Sequence, residues 1–285
     1  MDSRHRAPGR TVRWIAWLGE PHAEELALAR SQAAALAEVV DADESGRGPP
    51  PTLVVLAAHR PGRWTLAEAA AVSRRWPLAP LVACVTSLAD GRRRSGPWLP
   101  GVEEVPWHDF AGRLAWWLVE LDAGRAGSLG LPATARREER HADSAARVRA
   151  LVAAASGPPP AVTVAGSCRT SIEGTADLVA AAGFPVVGLT RGRPRLDEQA
   201  DVVVWDIAAP AGTDMAWLGM LAANRPGLGI VLLDSFPRGD TARAARRAGA
   251  AAVLGRPAGL EALAGTLLSL KKGADTAIGA AVPAS

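Results

Sequence analysis

The chain has 285 residues, 48% of them hydrophobic, and carries 32 basic against 29 acidic side chains. That length favours two domains over one, with enough apolar residues for two cores. No apolar run approaches the ~18 residues of a membrane span, and a net charge of +3 is too small to single out a polyanionic partner.

Residues 1–11 are polar and basic with no apolar stretch behind them, so a disordered arm is expected, without a secretory leader, and the expected compartment is the cytoplasm. Val12–Leu18 reads as a first strand, and His22–Val40 as a helix with Leu26, Ala33, Leu36 and Val39 near helical spacing. After a Gly/Pro loop, Leu53–Ala57 is a buried strand, Leu66–Arg75 a helix and Leu81–Val85 a strand ending in Thr86-Ser87. An arginine-rich loop follows, carrying Arg92, Arg93 and Arg94. Val102–Val105 is then a short strand, and Phe110–Leu121 an amphipathic helix whose start Asp109 is expected to cap.

From Ala123 to Pro160 the character changes: Thr134–Ala155 is predicted to be a connecting helix, and Ser156-Gly-Pro-Pro-Pro160 a stiff hinge. Beyond it, strands are expected at Val162–Ala165, Pro185–Leu189, Val202–Trp205, Gly229–Leu233 and Ala251–Leu254. Helices are expected at Thr170–Ala182, Met215–Asn224, Thr241–Ala248 and Leu260–Leu270, and Arg191–Gln199 is short. The tail 271–285 is predicted to be disordered. Alternating strands and helices give an α/β class with two doubly wound parallel sheets. Their domains are 11–122 and 161–270, joined by a helical linker over 123–160.

The stretch that organises the second domain is Asp201-Val-Val-Val-Trp-Asp206. Four apolar residues closed by an aspartate read as a central parallel strand, which places Asp206 at the carboxyl edge where open α/β sheets hold their chemistry. Pro210, four residues on, forces a turn. Asp206 with Pro210, the ending Arg247-Ala-Gly-Ala-Ala-Ala-Val-Leu-Gly-Arg-Pro257 and the turn Ala181-Ala-Gly-Phe-Pro-Val-Val187 together resemble the receiver (CheY-like) domain of bacterial response regulators. Residues 11–122 resemble a second, more degenerate copy, with Thr86-Ser87 at its hydroxyl position and Ala57-Ala58 where an acceptor would stand.

The resemblance implies a flavodoxin-like fold of five strands each followed by a helix. It also implies a phosphoacceptor-like position at Asp206 and switch-like positions at Asp234, Ser235 and Arg256. The family holds Mg²⁺ with an acidic pair at the first strand's end; that position is Gly166-Ser167, without charge. Asp234 stands where a hydroxyl would be expected, and Arg256 replaces a lysine's point charge with a planar fork. Two arrangements follow: Arg256 bridges Asp206 and Asp234, or Asp206 caps the next turn and Arg256 is solvated.

The implied function is a pseudo-receiver, a phosphorylation-independent regulatory and protein-interaction module in two-component signalling. It would have no enzymatic activity, no cofactor and no metal. The alternative is a working phosphoacceptor using Asp206. Signalling proteins are the expected partners, a homodimer is a further assembly it could form, and neither membrane nor nucleic acid is expected.

Other groups attract bland readings. His59 and His108 read as ordinary surface and helix-start residues, and Arg243, Arg246 and Arg247 as a solvated helix face. Cys84 and Cys168 read as buried free thiols. Tryptophans crowd the first domain at Trp14, Trp17, Trp107, Trp116 and Trp117. Plain core packing is the expected reading, and a place facing the second domain or another protein is the alternative.

Overall fold

The computed structural model describes residues 13–19, 23–42, 50–90, 99, 102–125, 127–130, 144–155 and 157–280, with side chains omitted at Asp90, Ser128, Gly130 and 271–280. The expected arm 1–11 and the arginines 92–94 lie outside these residues. Among the described residues ten strands form two parallel sheets. The first comprises β1 (Trp14–Leu18), β2 (Glu38–Asp41), β3 (Leu53–Ala58), β4 (Leu81–Val85) and β5 (Glu103–Pro106), in the order β2-β1-β3-β4-β5. The second comprises β6 (Val162–Gly166), β7 (Val186–Arg191), β8 (Val202–Ile207), β9 (Gly229–Asp234) and β10 (Ala252–Gly255), in the order β7-β6-β8-β9-β10. Each sheet thus has the 2-1-3-4-5 order of a flavodoxin-like doubly wound domain.

The helices are α1 (Glu24–Ala34), α2 (Leu66–Arg75), α3 (Ser87–Asp90), α4 (Trp107–Asp122), α5 (Ser144–Ala154), α6 (Arg169–Ala181), α7 (Gly212–Asn224), α8 (Gly239–Arg247) and α9 (Leu260–Ala280). Local chemistry starts and stops them. Thr65 and Glu68 form a reciprocal capping box at the head of α2: Glu68 N–H donates to Thr65 Oγ1 at 3.2 Å and Thr65 N–H to Glu68 Oε2 at 2.8 Å. Gly183, at φ +93°, ends α6 in the left-handed conformation that a glycine adopts freely.

Three expectations need correction. The helix expected over His22–Val40 stops at Ala34, and Glu38–Asp41 forms the edge strand β2, paired with β1. The expected helix after every second-domain strand is missing between β7 and β8. Gly192 and Pro194 interrupt that short segment, which is strapped to α7 instead. There Trp217 Nε1 donates to Pro194 O at 2.9 Å, Asn224 Nδ2 donates to Leu196 O at 2.6 Å, and Arg193 pairs with Asp214 at 3.0 Å. Without a helix over them, Val187 and Leu189 remain 58% and 55% exposed. The third concerns the expected tail: the backbone of α9 continues as helix to Ala280.

The sheets do not sit apart. Helices α4 and α9 cross with their backbones touching: a Cβ on Gly112 would collide with Ala262 O, and one on Gly265 with Gly112 O and Trp116 N. One hydrophobic core runs through both domains, from Ile15 and Trp17 through Phe110, Trp116 and Trp117 to Leu263 and Leu267. Trp17, Phe110 and Trp117 stack edge to face within it. The connecting segment joins this body, because α5 lays Val152 and Arg149 against Gly183.

Glycine substitutions distinguish close approach from mere presence. Gly112→Leu or Gly265→Leu is expected to lower the unfolding free energy in urea by about 3 kcal/mol, the upper part of the usual overpacking cost. Gly174→Ala, in the exposed middle of α6 with nothing within 4 Å of the new Cβ, should raise it by about 1 kcal/mol.

Candidate functional site

Parallel register sets the site. Asp206 on β8 lies opposite Gly166 on β6 and Leu233 on β9, and Ile207 lies opposite Asp234, which in turn faces Gly255 on β10. The carboxyl ends of β8, β9 and β10 therefore bring Asp206, Asp234, Ser235 and Arg256 to one edge.

Asp206 is 4% exposed and both of its oxygens are engaged. Arg256 Nη1 lies 3.0 Å from Oδ1, and Ser171 Oγ donates to Oδ2. Arg256 Nη2 donates to Ser171 Oγ at 2.7 Å, closing a triangle of guanidinium, hydroxyl and carboxylate. Nη1 also reaches Ser235 Oγ at 3.5 Å. The guanidinium fork makes this arrangement available where an ammonium would offer one point charge.

The expected bridge from Arg256 to Asp234 is not present. Asp234, 3% exposed, turns its carboxylate onto its own loop and accepts from Phe236 N–H at 2.9 Å. Burial raises the pKa of this carboxyl, against opposing contributions from that amide and from nearby His108. Asp234 and Arg256 meet only through the backbone, Arg256 N–H donating to Asp234 O at 2.9 Å.

Ser171 was not legible as a site residue. It lies in the first turn of α6, just past the strand end where the acidic pair of the resembled family would stand. A hydroxyl in the first helical turn facing a strand-end aspartate was the available signal. Gly166 is more than uncharged: a Cβ there would lie 3.0 Å from Asp206 O and 3.2 Å from Ile172 Cγ1, so no side chain fits without displacement. Ser167 and Cys168 are exposed, which corrects the expectation of two buried thiols; Cys84 is fully buried, and burial pushes its thiol pKa up. Among the described residues no three His, Cys, Asp or Glu side chains are grouped so as to hold a metal ion.

The first domain reaches this edge from the side. The ring of His108 covers Gly255, where a Cβ would collide with it. Asp109 does not cap α4, whose N-cap residue is Pro106; its Oδ1 accepts from Gly255 N–H at 3.1 Å and lies 2.9 Å from His108 Nδ1. Ser87 Oγ, at the first domain's hydroxyl position, lies 2.9 Å from Glu25 Oε1 and 3.2 Å from Pro237 O, and accepts from Trp107 Nε1 at 3.2 Å. Thr86 Oγ1 donates to His59 O at 2.9 Å, so the contact of His59 here is through its backbone. Arg243 pairs with Glu24 of α1 at 2.8 Å, and Arg246 Nη1 donates to Ala251 O at 2.8 Å.

Strand order defines the class of structure: two doubly wound α/β domains of flavodoxin-like (CheY-like) fold in one chain. No protein-family model and no curated protein matches the chain. Among solved structures it is similar to a protein described as related to pilus assembly from Burkholderia pseudomallei, at 27% identity over 40% of this chain and 89% of that one, with a TM-score of 0.34. It is also similar to the signal receiver domain of a modulated diguanylate cyclase from Desulfovibrio desulfuricans, at 17% identity over 41% and 98% of the chains, TM-score 0.35. A third is CheY from Borrelia burgdorferi, solved in complex with CheX, at 13% identity over 41% and 92%, TM-score 0.35.

A double-mutant cycle measures the triangle. Arg256→Met is expected to cost about 2 kcal/mol of unfolding free energy, because it leaves a buried carboxylate without its cation. Added to Asp206→Ala it should cost about 1 kcal/mol less than it does alone.

Proposed function

We propose that this chain is a pseudo-receiver: a regulatory, protein-interaction module of bacterial two-component-type signalling whose state does not depend on phosphorylation. The supporting observation is that Asp206 already has a cation and a hydroxyl on its two oxygens. Taking up a phosphoryl group would require a cation to quench the repulsion between the carboxylate and the incoming oxygens. Among the described residues the cation paired with Asp206 is a side chain committed to the resting arrangement, and the acidic pair that would recruit another is replaced by Gly166 and Ser167. Asp234, with its carboxyl beside the hydroxyl Ser235, adds like charge where a phosphoryl group would need a donor. Signalling then passes through the surfaces of the domains, with signalling proteins as partners.

A second reading keeps Asp206 as a working acceptor. It is favoured by the 30% exposure of the Arg256 side chain, which leaves the guanidinium room to swing away. Incubation with acetyl phosphate and Mg²⁺ followed by intact-mass and peptide mass spectrometry separates the two. The pseudo-receiver reading expects an unmodified chain, and stoichiometric phospho-Asp206 would sink it.

A further inference from the structure

Away from the Asp206 edge, the seam between the domains encloses a cluster of charges. Glu120 on α4 is 1% exposed, Glu261 on α9 4%, and Arg113 on α4 6%. Arg147 on α5 lies with Nε 3.0 Å from Glu120 Oε1 and Nη2 2.7 Å from Glu261 Oε1. Arg113 pairs with Glu261 through Nη1 and with Glu103 of β5 through Nη2. Ser144 Oγ donates to Glu261 Oε1 at 3.0 Å. Three elements of the first domain and linker (β5, α4, α5) are thereby tied to the last helix of the second.

Among the described residues of this cluster, two cations face three carboxylates. Buried charge is tolerated only where it is paired, so an excess carboxylate either ionises at high cost or takes a proton. Glu261 has both arginines and a hydroxyl, and Glu103 lies against Arg113 at the better-hydrated end. Glu120 has one direct ion pair, to Arg147, with the Trp116 indole one turn back on its own helix and Arg113 two turns back. Backbone closes the remaining side: a Cβ on Gly127 would collide with the Glu120 carboxyl, and Gly127 adopts φ +50° there.

We infer that the seam is completed by a proton: Glu120 is seated as the neutral acid, and its ionisation on raising the pH loosens the docking of the two domains. Burial acts in the same direction, raising the pKa of this carboxyl above its ordinary value, while Arg147 and then Arg113 pull it down. With the folded value above the unfolded one, the folded state binds the extra proton. The stabilisation is therefore fully present below the ordinary glutamate value of 4.5 and is lost as pH rises through the raised value.

The test is urea unfolding of the full chain at closely spaced pH values, for the wild type and Glu120→Gln, which keeps the shape and removes the titration. Asp234 contributes a slope common to both proteins, so their difference isolates Glu120. The wild-type folding equilibrium constant should fall relative to the variant by up to about tenfold per pH unit above 4.5, and the two should agree at the acid end. Superimposable curves, or a variant weaker than wild type at every pH, would overturn the inference. Should the variant fail to fold, the wild type is labelled with ¹³C at its glutamate carboxyls. One carboxyl titrating above the rest, with faster amide exchange in α4 and α9 but not in β8 as it ionises, supports the inference. A common titration of all glutamates, or seam protection that ignores the ionisation, defeats it.

Discussion

The contact on which the molecule depends is one in which two helices meet without side chains. Gly112 and Gly265 let α4 and α9 approach until backbone touches backbone, and every other feature of the seam follows from that distance. Trp116 can lie along α9, Arg113 can reach Glu261, and the start of α4 arrives over the last strand of the second sheet. The two sheets share one core across the seam, while the other face of the first sheet packs a separate cluster around Val54, Leu56, Ala69 and Trp76.

This has a direct bearing on the Asp206 edge. Arg256 follows Gly255, and Gly255 is held from outside by the His108 ring and the Asp109 carboxylate. The guanidinium that neutralises Asp206 therefore springs from a backbone segment braced by the other domain. A partner that displaced α4 would free that segment, and a change at Asp206 would press on the seam. The contact of His108 and Asp109 with Gly255 is the part of the seam that lies beside Arg256.

Much of the fold was legible in the sequence because buried parallel strands leave plain marks. Leu53–Ala58, Val202–Trp205 and Gly229–Leu233 are uninterrupted apolar runs, and all three lie in interior strands of their sheets. Strand β2 was hidden because Glu38-Val-Val-Asp41 has charged ends and half-exposed valines, which continue the helical spacing of α1 as well as they form an edge strand. Asp206 was found from its place at a strand end, and Arg256 from its place before a proline. The pairing of Arg256 with Ser171 rather than Asp234 could not be read, because it depends on which way a flexible fork turns. Asp109 likewise looked like a local cap, yet its partner is the amide of Gly255 in the other domain. The α4–α9 crossing was the least visible feature, since nothing in the neighbourhood of Gly112 or Gly265 distinguishes a glycine of close approach from one that is simply tolerated.

Both polar clusters obey the same rule, which is why one chain can hold an inert acceptor edge and a charged seam. Buried ion pairs add little net stability relative to apolar packing of the same volume, because desolvation consumes most of their attraction. What they impose is uniqueness: Arg147 can lie within reach of Glu120 and Glu261 together only when α4, α5 and α9 stand in one relation. Two α/β sheets with alanine-rich helices have many nearly equivalent ways to pack, and apolar contacts alone would discriminate poorly among them. The seam's charges select one docking, the docking braces Gly255, and the brace keeps the Arg256 fork in place over Asp206.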